Sequence, residues 1–281
     1  FSFGDRTRSF LKVQDGCDYF CSFCTIPLAR GKSRSANVSD TLKLVEEAAQ
    51  QGAKEIVLTG VNLGDFGVEH NQDFYDLVQA IDEVEGVDRY RISSIEPNLL
   101  TDEIIEFVSR SKRFVPHFHI PLQSGSDRIL GLMRRRYRRE LYAERVSRIK
   151  QRMPDACIGV DVIVGSPGET EADFMETVDF LTDLDISYLH VFTYSERAHT
   201  HALTIKPIVP ISVRQERNKI LRQLSYQKMQ AFSRSFEGTT RPVLFEQAEK
   251  DQMMEGYTDN YIRVTTPYRA EWVNRIVEWT L

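Results

Sequence analysis

Along most of the chain, short runs of consecutive apolar residues alternate with longer stretches in which apolar positions recur every three or four residues. Phe10-Leu11-Lys12-Val13 reads as a first strand, and Asp15-Gly16 turns the chain out of it. Ser39-Asp40 then opens a helix whose apolar positions Leu42, Val45, Ala48 and Ala49 share one face, and Gly52 stops it. The order repeats as strand Glu55–Thr59, helix 74–84, strand 90–94, helix 102–109 and strand 118–120. An arginine-rich helical region reaching Arg152, strand Cys157–Val164, helix 171–184 and strand 188–192 complete the series. Six strands alternating with helices predict an α/β fold with a parallel sheet and right-handed crossovers. Six units are two short of a closed eightfold barrel, so the expected architecture is an open, partial (β/α)6 TIM-like barrel.

After Pro207 and Pro210 the pattern changes to one long amphipathic helix over 213–236, with Ile220, Leu221, Leu224 and Met229 expected against the barrel and Gly238 ending it. From Arg241 onward short alternating runs at 243–245, 261–264 and 272–277 predict a small C-terminal all-β domain. The expected division is therefore 1–237 and 238–281.

Composition narrows the function classes. No run of about eighteen apolar residues is present, which excludes a membrane-spanning helix on sequence grounds. The start, from Phe1 to Arg6, has neither an initiating Met nor a charged-then-apolar leader, and the expectation is a fragment or processed chain. Of four cysteines, three crowd into one motif and only Cys157 is left over, so no disulfide framework is expected and a reducing, cytoplasmic setting fits best. A net charge of −5 argues against a surface given over wholly to nucleic acid. Two basic stretches, Arg30-Gly31-Lys32-Ser33-Arg34 and Arg134-Arg135-Arg136-Tyr137-Arg138-Arg139, can be solvated faces or local phosphate clamps.

The strongest chemical signal is Cys17-Asp18-Tyr19-Phe20-Cys21-Ser22-Phe23-Cys24, three thiols in eight residues. This spacing suits a polynuclear iron–sulfur cluster with one iron lacking a protein ligand. A structural zinc normally closes with four ligands and none lies nearby, so zinc fits less well, and a disulfide plus a stray thiol fits worse. Ligand sites in parallel α/β folds gather at the carboxyl ends of strands. Every predicted strand ends there in polar or glycine-rich residues, including Gly60, Glu96, Gln123 and the turn from Gly165 to Glu169. Gly60 allows close backbone approach, Glu96 can accept from an ammonium or ribose hydroxyl, and Gln123 can donate and accept at once. An adenosine-bearing amino acid would suit that set.

With these residues in view, the Cys17-x3-Cys21-x2-Cys24 loop at the end of a first strand resembles the radical S-adenosylmethionine (SAM) enzymes. The segments Asp15-Gly16-Cys17, Cys24-Thr25-Ile26-Pro27-Leu28-Ala29-Arg30-Gly31, His119-Ile120-Pro121-Leu122-Gln123-Ser124-Gly125-Ser126, Met133-Arg134-Arg135-Arg136-Tyr137 and Gly165-Ser166-Pro167-Gly168-Glu169-Thr170-Glu171 are similar to the methylthiotransferases among them. Thr59-Gly60-Val61-Asn62-Leu63-Gly64-Asp65 and Ser93-Ser94-Ile95-Glu96-Pro97 look most like the branch that converts N6-threonylcarbamoyladenosine of tRNA to its 2-methylthio form. Sibling branches act on isopentenyladenosine of tRNA or on an aspartate of a ribosomal protein. Gly256-Tyr257-Thr258-Asp259-Asn260-Tyr261 resembles the family's RNA-binding TRAM domain.

The resemblance implies a 4Fe-4S cluster on Cys17, Cys21 and Cys24, SAM as cofactor, tRNA as partner and a reducing electron donor. It implies Phe23 beside the adenine through its backbone, Gly60 facing the methionine amino group, Glu96 and Gln123 at the ribose or methionyl part, and the Gly165–Glu169 turn on the adenine side. Full-length members also begin with a domain whose three further cysteines hold a second 4Fe-4S cluster, thought to carry the transferred sulfur; this chain has no such set. Sulfur insertion by the chain alone is therefore not expected.

Other groups are read more plainly. His117 and His119 on one strand face, and His199 and His201 in a loop, are expected to be satisfied polar residues in preference to a second metal site. The small domain leans acidic through Glu246, Glu249, Asp251 and Glu255, so recognition there would rest on Tyr257, Tyr261 and Tyr268 stacking on bases; the alternative role for each is as a core residue. The reading from another class is a non-catalytic RNA-binding protein with a structural metal.

Overall fold

The computed structural model describes residues 7–250 and 252–281, with the side chains of 247–250 excepted. The start of the chain, Asp251 and the side chain of Glu249 lie outside the described residues. In chain order the elements are β1 (Arg8–Lys12), β2 (Gln14–Asp15), α1 (Ile26–Arg30), β3 (Arg34–Ser35), α2 (Val38–Gln50), β4 (Glu55–Thr59), α3 (Phe74–Asp82), β5 (Arg89–Ile92) and α4 (Asp102–Arg110). They continue with β6 (His117–His119), α5 (Asp127–Leu132), α6 (Arg139–Arg152), β7 (Cys157–Val164), α7 (Glu171–Asp183), β8 (Tyr188–Thr193) and α8 (Ile211–Arg234).

β1, β4 and β5 form one parallel sheet and β6, β7 and β8 another, and the bridges Ser94↔His119 and Tyr90↔Phe114 link the two. Helix starts follow local capping chemistry: Asn37 accepts from the Asp40 amide, so α2 begins at Val38, one turn position ahead of the expected Ser39-Asp40. Asp73 and Thr170 make full capping boxes for α3 and α7.

Strand alternation divides the residues cleanly. Ile56, Leu58, Tyr90, Ile92, Phe118, Ile158, Val160 and Val162 join one core with helix residues such as Val45, Leu77, Ile81, Ile104, Tyr142 and Phe174. The alternate positions, Glu55, Arg89, Arg91, His117, His119, Asp161 and His190, therefore line the opposite face, helix-free across its strands and bordered by α8 only beside His190 at the β8 edge. On that face Glu55, with a side chain 1% exposed, pairs with Arg91 at 2.9 Å, and Arg89 approaches it to 3.8 Å.

The long helix α8 buries Leu221 and packs Leu224 on the core, whereas Ile220 and Met229 of the expected apolar face are exposed. Its other buried residues are Arg214 and Arg217. The arginine-rich region is two helices, and residues 133–138 between them are a connector, so Arg134 to Arg138 do not form a helix face.

The C-terminal strands β9 (Thr240–Lys250), β10 (Met253–Thr258), β11 (Arg263–Pro267) and β12 (Ile276–Thr280) form an antiparallel sheet in the order β11-β10-β9-β12. β10 is not among the expected strands because Gly256 interrupts its side-chain pattern; a Cβ there would fall 2.7 Å from Val243 and 2.8 Å from the Leu244 carbonyl. Tyr261, expected to begin a strand, instead sits in the β10–β11 turn at φ +70°. Val243, Phe245, Met254 and Val264 form a separate small core, with Trp272 and Trp279 against it.

This sheet caps the amino-terminal end of the helix-free face. Arg89 donates to the Pro242 carbonyl at 2.6 Å and Arg91 to the Asp259 carbonyl at 3.2 Å. The Tyr261 ring lies 4.5 Å from His117, 5.0 Å from Tyr257 and 4.9 Å from the Arg91 guanidinium, and Arg8 sits 4.6 Å over Tyr257. Tyr257 and Tyr261 are thus engaged within the protein while each remains half-buried, and Tyr268 packs on the small core. No helix among the described residues is long and apolar enough to cross a membrane.

Candidate functional site

The cysteine loop is closed at its base by β2 and β3, which pair Gln14 with Ser35 and Asp15 with Arg34. Gly16 starts the loop at φ +73°, and a Cβ there would lie 1.9 Å from the Lys32 carbonyl oxygen, so both backbone and space require glycine. Asp15 accepts from Lys12 at 3.2 Å, Arg30 at 3.2 Å and Arg34 at 2.8 Å. The first basic stretch is thereby turned inward to brace the loop, although Arg30 and Arg34 each keep half their side chain exposed. Buried Gln14 joins the loop to the next strand end: its Nε2 donates to the Gly16 carbonyl and Ser33 hydroxyl at 2.8 Å each, and its Oε1 accepts from Val61 at 2.9 Å and Asn62 at 2.8 Å. Gly60 lies against this amide, where a Cβ would be 3.1 Å from Gln14 Oε1 and 3.0 Å from Leu63.

The cysteine sulfurs sit among hydrogen-bond donors. The Tyr19 amide donates to Cys17 Sγ at 3.3 Å, the Ile26 amide to Cys24 Sγ at 3.4 Å, and Arg135 to Cys21 Sγ at 3.1 Å. Burial pushes the Cys17 thiol up to about 11 and also raises that of Cys21, against the opposing charge of Arg135. Loading a metal group would therefore displace protons from these thiols.

Arg135 is the organising residue that sequence reasoning missed. Its side chain is 3% exposed and pairs with Glu96, while its Nε donates to the Tyr137 hydroxyl at 3.0 Å. Tyr137 in turn lies 2.8 and 2.7 Å from the carbonyls of Pro121 and Leu122, just ahead of Gln123. One guanidinium thus connects the cysteine loop, the end of β5 and the segment after β6. Arg136 stacks 3.8 Å over Tyr19 and donates to the Asp18 carbonyl at 2.8 Å. The second basic run is accordingly not a simple solvated face, and two of its arginines serve the cysteine loop. Arg135 carries no sequence signal separating it from its neighbours in the run.

Gln123 adopts φ +71°, unusual for a residue with a side chain, and is held there by bonds to Asp161 at 2.8 Å and from Ile163 at 2.9 Å. The chain around it is fixed by β7, leaving its side chain as the variable part. Phe23 is half-buried within the cysteine loop.

The Gly165–Glu169 turn is tied to α8. Gly165 has φ +74°, and a Cβ there would meet Arg214 Cγ at 2.3 Å. Glu169 Oε2 accepts from the Gly165 amide at 2.6 Å and from Arg217 at 2.7 Å. One oxygen of its carboxylate thus braces the turn from within, between β7 and α8. Burial raises the Glu169 carboxyl despite these donors. Among the described residues, only His119, Asp161 and His190 bring three candidate ligand atoms within 4.8 Å of one another. The three thiols do not meet that spacing, and the wider separation suits a polynuclear group. Three soft donors with amide and guanidinium hydrogen bonds to sulfur fit a 4Fe-4S cluster.

Comparison with known proteins agrees with this geometry. The Radical SAM superfamily signature matches residues 11–181. Threonylcarbamoyladenosine tRNA methylthiotransferase MtaB of Bacillus subtilis (strain 168) is 42% identical over 99% of this chain and 63% of its own length. The Aquifex aeolicus (strain VF5) protein of the same name is 42% identical over 92% of this chain and 62% of its own length. The tRNA-2-methylthio-N(6)-dimethylallyladenosine synthase of Staphylococcus aureus (strain JH9) is 36% identical over 96% of this chain and 54% of its own length. The chain thus spans less than two thirds of the length of these relatives. Among solved structures, the radical S-adenosylmethionine methyltransferase TsrM from Kitasatospora setae, with cobalamin and a [4Fe-4S] cluster bound, shares the fold at TM-score 0.59 and 17% identity, covering 69% of this chain and 38% of that one. Streptococcus suis SuiB bound to S-adenosylmethionine does so at 0.55 and 15%, covering 79% of this chain and 48% of that one. The signature spans more than half of the residues and takes in the cysteine loop, so the chain belongs to the radical SAM superfamily, whose members use a 4Fe-4S cluster and SAM.

Proposed function

We propose that this chain is the radical SAM portion of a tRNA methylthiotransferase that converts N6-threonylcarbamoyladenosine to its 2-methylthio form. The observation that carries the reading is the cysteine loop joined through Arg135 to Glu96, within a chain 42% identical to relatives named for that reaction and 36% identical to relatives named for the dimethylallyladenosine reaction. In this reading residues 1–237 form an open, partial (β/α)6 TIM-like barrel and residues 238–281 a TRAM domain that contributes to tRNA binding. The substrate is a cytoplasmic tRNA.

Cys17, Cys21 and Cys24 hold the 4Fe-4S cluster, which when bound supplies the electron that cleaves SAM to a 5'-deoxyadenosyl radical. Gly60, Glu96 and Gln123 hold the methionyl and ribose parts of SAM, Phe23 lies beside the adenine, and Gly165 shapes the adenine side with Glu169 as its buried brace. Glu96, already paired with Arg135, acts through an orientation fixed before SAM arrives. A reducing electron donor and the second cluster of the longer relatives complete the reaction.

Anaerobic reconstitution tests the radical SAM assignment: about four irons per chain and reductive formation of 5'-deoxyadenosine are expected. A colourless protein with a single zinc would support the non-catalytic RNA-binding reading instead. Nucleoside mass analysis of tRNA from cells lacking the full-length protein tests the substrate. Loss of the methylthio group from isopentenyladenosine, with threonylcarbamoyladenosine unaffected, would move the protein to the sibling branch.

A further inference from the structure

We propose that His119, Asp161 and His190 form a binding site for one divalent transition-metal ion of the zinc class, separate from the cysteine loop. The three residues come from adjacent parallel strands, β6, β7 and β8, and alternate with the core positions Phe118, Val160, Val162 and Leu189. Asp161 and His190 are register partners, so their side chains leave the sheet side by side on the same face. His119 Nε2 lies 2.8 Å from Asp161 Oδ1, and one candidate ligand atom from each of the three residues lies within 4.8 Å of the others.

An ion bonded at about 2.0–2.2 Å needs ligand atoms roughly 3–3.5 Å apart, a spacing that small side-chain rotations supply here while the strands stay fixed. Two imidazoles and one carboxylate are the donor set of zinc and ferrous sites, and they disfavour calcium and magnesium, which take mainly oxygen. The set is also oriented. The Tyr188 ring meets His190 edge-on at 5.1 Å and lies over Gly159, where a Cβ would fall 2.3 Å from it. This packing restricts the His190 ring to a narrow range of orientations.

His119 and Asp161 side chains are each 20% exposed and His190 is exposed, so an ion can enter and keep open positions toward the helix-free face. The sequence conceals this site because its carboxylate lies 42 positions from His119 in the chain. The proposal is independent of the methylthiotransferase reading, since it rests on none of the cysteine-loop residues.

The test is a Co2+ titration, followed by Zn2+ competition calorimetry, on the 281-residue chain carrying Cys17→Ala, Cys21→Ala and Cys24→Ala, which removes the competing thiols. The expected result is a visible Co2+ band saturating at about one equivalent, with affinity in the micromolar range or tighter. His190→Ala, at an exposed position, and Asp161→Asn should each weaken binding by about tenfold or more. Should the triple variant not fold by circular dichroism, direct Zn2+ calorimetry on the cluster-loaded wild-type chain, whose thiols are already occupied, should show one further saturable equivalent, since the cluster's own absorbance would mask the Co2+ band. Absence of saturable binding, or binding that survives both substitutions or is abolished by His199→Ala with His201→Ala, overturns the assignment.

Discussion

Arg135 is the most exacting test of how the site is held. Replacing it with methionine keeps most of the buried volume but strips Glu96, 13% exposed, of its cation, and Cys21 and Tyr137 of a donor. Breaking a buried pair from one side costs about 3–5 kcal/mol, and the slight exposure of Glu96 places Arg135→Met near the lower end. Glu96→Gln retains a hydrogen bond to the guanidinium and should cost about 1–2 kcal/mol. The double variant should be more stable than the sum of the two losses allows, with a coupling of about 1–3 kcal/mol. Urea unfolding of the reduced, metal-free chain measures all three. Additivity within about 0.5 kcal/mol would show that the pair is incidental and would refute the account of the loop given above. A second readout separates structure from electronics: in the cluster-loaded protein, Arg135→Met should lower the reduction potential by removing a donor to the Cys21 sulfur, while Arg135→Lys retains part of it.

The remaining predictions concern neighbouring supports. Gly165→Ala should destabilise by about 2–4 kcal/mol in urea, because it combines left-handed backbone strain with displacement of Arg214, and the loss should persist in the metal-free chain. Gln14→Ala leaves the Val61 and Asn62 amides without their acceptor, so hydrogen exchange at those two amides should accelerate well before global unfolding. Tyr261→Ala should cost about 1–3 kcal/mol through lost ring and cation contacts and should loosen the C-terminal sheet from the parallel strands, seen as faster proteolysis between them. Burial pushes the Glu55 carboxyl up, but Arg91 and Arg89 outweigh it and hold the group below the ordinary glutamate range. Its folded value being depressed, its contribution is complete above the unfolded value near 4.3 and disappears as pH falls through the folded one; Glu55→Gln should flatten the stability profile below about pH 4.

Much of the scaffold is legible because burial follows period. Strand Cys157–Val164 has the expected bounds, and its alternate valines enter the core while Asp161 does not, a pattern visible in the residues themselves. The cysteine loop is legible for a different reason, since its three thiols lie within eight neighbouring residues, although the contacts that brace it do not. What escapes is anything decided by contacts distant in sequence. Nothing distinguishes Arg135 from Arg134 or Arg136 until the chain folds and brings Cys21 to 3.1 Å from only one of them. Glu169 follows a strand end, as its sequence position suggests, but its carboxylate pairs with Arg217 of α8, 48 positions later. Tyr257 and Tyr261 carry the chemistry of base stacking and use it on each other and on Arg8 and Arg91.

The two ends of the helix-free face show how one structural rule produces both the site and its support. Parallel strands covered by helices on one side must place alternate residues on the other, and this sequence fills those positions with ionisable groups. At the carboxyl end the loops carry Glu96, paired with Arg135, and Gln123, the groups proposed above to hold SAM. At the amino end Arg89, Arg91 and Glu55 are almost fully buried, and buried charges need partners. The C-terminal sheet supplies them through the carbonyls of Pro242 and Asp259 and the Tyr261 ring. It therefore completes the electrostatics of the parallel strands as well as forming its own core. Withdrawing the turn at residues 257–261 would cost Arg91 its bond to the Asp259 carbonyl and its contact with the Tyr261 ring, while Arg89 would keep the Pro242 carbonyl on β9.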